Sequence, residues 1–424
     1  MDVGVVTRTV CGHTTLEGTD MSGTLEREQV NGARNAIPYQ APPPPPRRPR
    51  RRDDNSGYWA AFSLLLGMLV VVLGSVAVWM GFSAHDARKD ANKAATAVAA
   101  GGSMPGMDMS GTGTSGAGEL TSYAGQAPAN AAALAKKHAA MDATLPPAPA
   151  GPVARVRLVL VDKTIEIAPG IKYRSWAFSG GAPAPFIHVR QGQKVELTLT
   201  NKGVIPHSVD FHAARIAPNV AFKDVQPGGS IHYSFIANDP GVFMFHCGTK
   251  PVLAHIANGM YGAIIVEPRI PLPHADKNYV LVASEWYLSS PGFPQAAGLD
   301  LAKAQRQEPD WVTWNGYAGQ YVTHPLTADP GQTVRFWDVD AGPSFDVDFH
   351  IVGTILNRAW VNGDMTQFQR NVQTVPVPAG GGGVFDVKID QAGLYPFVSH
   401  SFAAVDLGQV GLLNVGDVKG TMSH

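Results

Sequence analysis

Phe245-His246-Cys247-Gly248-Thr249-Lys250-Pro251-Val252-Leu253-Ala254-His255-Ile256-Ala257-Asn258-Gly259-Met260-Tyr261-Gly262 carries a cysteine, a histidine and a methionine in the spacing Cys-x7-His-x4-Met. With His207 upstream it offers one thiolate, two imidazoles and one thioether. A thiolate and two imidazoles with a weak axial thioether suit copper in an electron-transfer site. Zinc takes four strong ligands in a closed tetrahedron. A lone histidine or methionine is more often core or surface than ligand. Four together, around an otherwise unexplained cysteine, identify His207, Cys247, His255 and Met260 as a type 1 (blue) copper set.

The surrounding chain repeats itself. His207-Ser208-Val209-Asp210-Phe211-His212 matches Phe345-Asp346-Val347-Asp348-Phe349-His350. Asp239-Pro240-Gly241-Val242-Phe243 parallels Gln391-Ala392-Gly393-Leu394-Tyr395, and Gly259-Met260-Tyr261-Gly262 parallels Gly408-Gln409-Val410-Gly411. Short β-rich runs fill the same region: Val153–Val161, Lys194–Leu199, Ser230–Phe235, Gly262–Val266, Tyr279–Ala283, Thr333–Asp338 and Val384–Ile389. Pro227-Gly228-Gly229 and Asp329-Pro330-Gly331 supply turns between them. Short strands broken by such turns, in two copies, predict an all-β protein of two tandem antiparallel Greek-key sandwiches, at 151–270 and 271–418.

Strand parity points to a second metal site. Side chains alternate between faces along a strand. If 207–212 is a strand, His207, Val209 and Phe211 face the core, and Ser208, Asp210 and His212 face out. His246 and Cys247 are neighbours, so His246 also faces out while Cys247 faces in. Two imidazoles are too few for a catalytic metal, which usually keeps three protein ligands and an open position. The second copy offers further groups: with Phe345, Val347 and Phe349 facing its core, Asp346, Asp348 and His350 face out, and His400 follows the strand equivalent to 242–247. In that alignment Phe345, Ser399 and Gln409 replace His207, Cys247 and Met260, so the second copy lacks a type 1 set. The competing reading of His350 and His400 is two unrelated surface histidines. His188, His232, His274 and His324 match no motif and read as ordinary strand or loop residues.

Outside the repeats the chain changes character. Its 424 residues are 45% hydrophobic with a net charge of -1, enough for two sizeable cores and no basis for nucleic-acid binding. Residues 1–57 lack hydrophobic periodicity and read as a disordered cytoplasmic tail ending in Pro42–Pro46 and an arginine cluster at 47–52. Tyr58 to Phe82 contains no charged residue and is apolar all round, long enough for a transmembrane helix, which needs ~20 residues. The arginines stay on the cytoplasmic side, so the copper domains are extracytoplasmic on a single-pass cell-membrane anchor. Residues 83–150, rich in Ala, Gly, Ser and Pro, read as a flexible linker in which Met104, Met107 and Met109 are incidental. The two cysteines, Cys11 and Cys247, then lie on opposite sides of the membrane and cannot pair.

The runs His207-Ser-Val-Asp210-Phe-His212 and His246-Cys247 through His255-Ile-Ala-Asn-Gly-Met260-Tyr-Gly resemble the copper-containing nitrite reductases, within the multicopper oxidase superfamily of cupredoxin folds. The short loop from Cys247 to His255 resembles the family's shorter-loop subgroup. The resemblance covers about 151–418. It implies type 1 copper on His207, Cys247, His255 and Met260, and type 2 copper on His212, His246 and His400. Asp210 and His350 would be the catalytic pair. It also implies one copper of each type per subunit and a homotrimer whose type 2 site lies between the first domain of one subunit and the second of the next. The expected reaction converts nitrite to nitric oxide by one-electron transfer from type 1 to type 2 copper, fed by a small redox donor such as a cupredoxin or cytochrome c. Val352 departs from the family, which usually has isoleucine there over the substrate. Two rivals remain. A multicopper oxidase reducing oxygen needs paired His-x-His ligands, and no His-x-His occurs in this chain. A membrane-tethered blue-copper electron carrier would leave Asp210, His350 and His400 without a role.

Overall fold

The computed structural model describes residues 127–361 and 365–420. The expectations for 1–57, 58–82 and Met104–Met109 fall outside the described residues. No helix among the described residues is long and apolar enough to cross a membrane.

The first eight strands are β1 (Val153–Ala168), β2 (Ile171–Phe178), β3 (Ile187–Arg190), β4 (Lys194–Asn201), β5 (Asp210–Phe211), β6 (Ser230–Ile236), β7 (Gly241–His246) and β8 (Tyr261–Glu267). They form two four-stranded sheets, β2-β1-β4-β6 and β3-β8-β7-β5. The next are β9 (Lys277–Trp286), β10 (Trp311–Trp314), β11 (Leu326–Ala328), β12 (Thr333–Asp340), β13 (Val347–Ile351), β14 (Leu356–Val361), β15 (Gln369–Val372), β16 (Val375–Val377), β17 (Gly382–Lys388), β18 (Gly393–Ser399) and β19 (Val410–Val415). They form a six-stranded sheet, β10-β9-β12-β17-β14-β15, and a five-stranded one, β11-β19-β18-β13-β16. The sheets are mixed rather than purely antiparallel: β1 with β4, β3 with β8, β9 with β12 and β11 with β19 pair in parallel. In the first pair the chain leaves β1, visits other strands including one on the opposite sheet, and returns in the same direction, so a crossover replaces a hairpin.

Alternation along the strands builds the three largest cores among the described residues. Phe245, Ile264 and Val266 join Phe178, Leu197 and Phe211 inside the first sandwich. Phe336, Phe349, Phe385 and Phe397 fill the second. The opposite faces of the same strands meet each other: Val242, Met244, Ala263 and Ile265 pack with Val280, Val282, Trp286, Trp337 and Val339 between the sandwiches. Each valine, isoleucine or methionine among them contributes roughly 1.5–3 kcal/mol on full burial. The face that is outward for the first sandwich is therefore, along β7, the face that meets the second.

Two corrections arise here. The described part of the flexible linker is packed. Ala131–Lys137 is helical, Val280 N donates to Ala143 O at 2.7 Å, and Leu145 N donates to Asn278 O at 3.0 Å. Ala143 is buried in the second core, and its contacts lie far downstream, where composition cannot reveal them. The first internal match also slides by two residues. Asp210 pairs with His246, whereas His350 pairs with Val398. His212 N donates to Met244 O at 3.1 Å, and Val352 N to Pro396 O at 2.8 Å. Val347, not Phe345, thus stands at the place of His207. Phe345 precedes the strand and is 37% exposed, and its N–H and that of Ser344 donate to the buried Glu285 carboxylate at 2.7 and 3.0 Å. An even shift leaves side-chain parity unchanged, so Val347, Phe349 and Ile351 still face in.

Candidate metal centre

His207, Cys247 and His255 are buried, and their ligand atoms lie within 4.8 Å of one another. Cys247 Sγ is 3.2 Å from His255 Nδ1 and 3.9 Å from His207 Nδ1, and the two Nδ1 atoms are 3.1 Å apart. β7 delivers Cys247 and a short helix, Val252–Ala257, carries His255. Met260 is fully buried, and its main chain ties the loop closed: Met260 N donates to His255 O and Cys247 N to Met260 O, at 3.2 and 3.1 Å. Trp176 lies against both rings, with centroids 4.9 Å from His255 and 5.5 Å from His207. Burial lowers His207 to about 4, helped by neighbouring His255, and burial also lowers His255. Neutral imidazoles keep their lone pairs. Two imidazole nitrogens and one sulfur converge in this buried pocket, a donor set that fits a soft metal, and a thiolate with two imidazoles fits copper.

Ser208, expected to face out, is fully buried. The strand is shorter than anticipated, covering only Asp210–Phe211. Ser208 instead turns beneath the sulfur: its N–H points at Cys247 Sγ at 3.4 Å, and its Oγ accepts from Gly248 N at 3.1 Å.

Asp210, His212 and His246 form a second group with ligand atoms within 4.8 Å. Asp210 and His246 are cross-strand partners, and His212 follows β5 directly. The Nε2 atoms of His212 and His246 are 3.1 Å apart. Their Nδ1 atoms contact carbonyls, Gly380 O at 3.0 Å and Cys247 O at 2.9 Å. A carbonyl only accepts, so each Nδ1 carries the proton and each Nε2 is free to ligate. Burial holds His246 below the usual imidazole value. Gly380 belongs to the second sandwich, so both halves of the chain orient this group. Gly380 adopts φ +78 there, a conformation that favours glycine.

His350 and His400 lie together elsewhere, ring centroids 5.4 Å apart, and neither belongs to either ligand group among the described residues. His350 Nδ1 donates to Gln373 O at 2.6 Å, and His400 is exposed beside Phe402. Of the histidines read as ordinary, His188 contacts Pro146 O, His232 Thr198 and His274 Asp276, while His324 Nε2 is buried with no hydrogen-bond partner. The Gly380 and Gln373 carbonyls, Ser208 and Trp176 were not anticipated. No short-range signal marks them, since Gly380 is 168 residues from His212.

Comparison with known proteins agrees with this arrangement. Residues 160–270 match the family model described as multicopper oxidase. A copper-containing nitrite reductase of Neisseria gonorrhoeae is 39% identical over 269 residues, 62% of this chain and 68% of that protein. The copper nitrite reductase structure from Nitrosomonas europaea superposes with a TM-score of 0.59 at 33% identity, covering 62% of this chain and 94% of that one. A copper-containing nitrite reductase from Thermus scotoductus SA-01 gives a TM-score of 0.59 at 26% identity, covering 64% of each chain. With a buried Cys-His-His set one residue from an outward two-histidine group, the chain belongs to the copper-containing nitrite reductase family.

Proposed function

We propose that this protein reduces nitrite to nitric oxide, taking up one electron and two protons and releasing water. The observation that carries the reading is the covalent adjacency of its two ligand groups: Cys247 faces one and His246 the other across a single peptide bond. Copper at the two sites supplies one-electron transfer and a Lewis acid for the nitrite oxygen. The chain's own residues do the rest. His207, Cys247, His255 and Met260 would hold the buried metal, and Trp176 packs tilted against the two rings. His212 and His246 present paired Nε2 atoms, oriented by Gly380 O and Cys247 O. Asp210 stands beside them as a proton donor to the leaving oxygen. His350, with its Nδ1 engaged by Gln373, has Nε2 for the same task. Supplying nitrite or oxygen separately to photoreduced protein tests the reaction. Reoxidation of the blue centre by nitrite with release of nitric oxide is expected. Fast reoxidation by oxygen and none by nitrite would overturn it in favour of an oxidase.

The third imidazole is His400 of a neighbouring subunit in a homotrimer, with His350 arriving on the same surface. The support is that His212–His246 and His350–His400 form separate pairs within one chain, each with exposed members. Mixing His400→Ala with His212→Ala subunits should regain part of the type 2 copper, because hybrid interfaces unite intact halves. Monomers with full type 2 occupancy would sink the shared site. The shortness of the loop between Cys247 and His255 supports a reading of the protein as one of the family's shorter-loop subgroup. Residues 58–82 anchor it in the cell membrane with the N-terminus cytoplasmic and the copper domains outside, where a cupredoxin or cytochrome c supplies electrons. Protease added to intact cells should remove the copper domains and spare the first 57 residues; the opposite protection would refute the orientation.

A further inference from the structure

Thr249 sits in the loop between Cys247 and His255 and is 8% exposed. Its Oγ1 is 2.7 Å from Asp224 Oδ1 and 3.1 Å from Ser208 Oγ. One hydroxyl hydrogen cannot serve both. The shorter, charge-assisted bond is the stronger, so Thr249 donates to Asp224 and accepts from Ser208. Ser208 Oγ lies 4.0 Å from Cys247 Sγ, and Ser208 N donates to the same sulfur at 3.4 Å. Asp224 also adjoins Val225, whose main chain bonds twice to His207, at 3.1 and 2.7 Å. A single exposed carboxylate is thus tied to the Cys-to-His loop, to the serine under the sulfur and to the segment bearing His207.

The second sandwich supplies an independent observation. His207 bridges Val225, and Val347 pairs with Val377. The counterpart of Asp224 is therefore Pro376, opposite Asp348. The carboxylate is present in the copy with the cysteine-histidine set and absent from the copy that has lost it.

We propose that Asp224 is a positioning residue that sets the reduction potential of the blue centre, by fixing Thr249 and Ser208 beneath Cys247 and by favouring the more positive, oxidised form through its charge. The proposal rests on the type 1 reading of His207, Cys247, His255 and Met260. The test is a spectroelectrochemical titration of the visible band in the full-length copper-loaded protein.

Asp224→Asn should shift the reduction equilibrium about tenfold toward the reduced form, about 59 mV for one electron. Because Asp224 is exposed, that shift should shrink as salt is raised. Asp224→Glu should restore most of the wild-type value. Thr249→Val, which keeps the charge and breaks the relay, should give a smaller shift that salt does not alter. An unchanged potential in both Asp224→Asn and Thr249→Val overturns the proposal. So does an Asp224→Glu protein that behaves like Asp224→Asn. Absence of any blue band in the wild type would instead refute the type 1 assignment itself.

Discussion

The two sandwiches are built on one frame, and among the described residues only the first brings three metal-ligating groups together. Phe245 faces Gly262 across β7 and β8, and Phe397 faces Gly411 across β18 and β19. In both pairs the aromatic ring lies over the glycine, where a Cβ would collide with it. Ser208 N points at Cys247 Sγ, and Asp348 N donates to Ser399 Oγ at 3.0 Å. Met260 N reaches back to His255 O, and Gln409 N to Ala404 O at 2.9 Å. Val347, Ser399, Ala404 and Gln409 therefore stand at the places of the four proposed ligands, His207, Cys247, His255 and Met260. The backbone that frames the proposed type 1 site persists in the second copy without its donors. Ladder pairing and core packing hold these loops, so the metal is an addition to the fold and not its cause.

The comparison breaks most visibly at Cys247. Cys247→Ser gives the first copy the residue of the second, and the blue colour should vanish completely while the protein stays folded. A mutant with an unchanged visible spectrum would remove the site assignment. The next effect is on rate. Asp210→Asn should retain both coppers yet lose roughly 100- to 10,000-fold in turnover, the usual contribution of a positioned acid or base. Metal analysis alongside steady-state rates separates this from simple loss of copper. Because two protons are consumed per nitrite, wild-type activity should also fall as pH rises.

A smaller effect sharpens the structural equivalence. Gly262→Ala and Gly411→Ala each push a methyl into a phenyl ring, and overpacking of this kind costs about 1–3 kcal/mol. The two losses should be similar in chemical unfolding. A large loss at one and none at the other would show that the copies differ in their ladders.

The last effect, read as a slope across pH, concerns one polar difference. Asn201 accepts from Gly203 N and donates through Nδ2 to Ile205 O and Val225 O, each at 2.8 Å. Asp340 holds the equivalent place, accepting from Gly342 N at 2.8 Å, but its Oδ2 is buried with no hydrogen-bond partner. Burial pushes Asp340 well above the usual carboxylate range, with Glu285, Asp338 and Asp346 adding to the rise. The folded state then binds a proton that the unfolded chain releases. That contribution is complete below the ordinary carboxylate value and is lost as pH rises toward the folded one, by up to about 1.4 kcal/mol per pH unit. Asp340→Asn, which restores the amide of the first copy, should flatten that fall in thermal melts across a pH series. Part of the slope should remain, since burial also raises Asp338 and Glu285. An unaltered slope would mean Asp340 is already ionised.

The residues that define the class were legible because their information is local. Cys247, His255 and Met260 lie in one short run, and alternation alone assigns His246 and Cys247 to opposite faces. The same alternation hides an even slip: Val-Asp-Phe-His occurs at 209–212 and again at 347–350, so the sequence match was convincing while the ladders sit two residues away. The packed segment 138–149 escaped for a related reason, since nothing in its composition names the β9 main chain that it joins.

By itself the sequence decided the donor types, their spacing and the period of the strands, which together specify a β-sandwich protein with a thiolate-imidazole-thioether set. Tertiary structure alone decided the register of the second copy, the inward turn of Ser208, the approach of Gly380 to His212 and the link from Asp224 to Thr249. Each of these joins groups remote in the chain, whose meeting depends on how sheets twist and stack. Pairing across that distance is a property of the packed cores, and no local pattern encodes it.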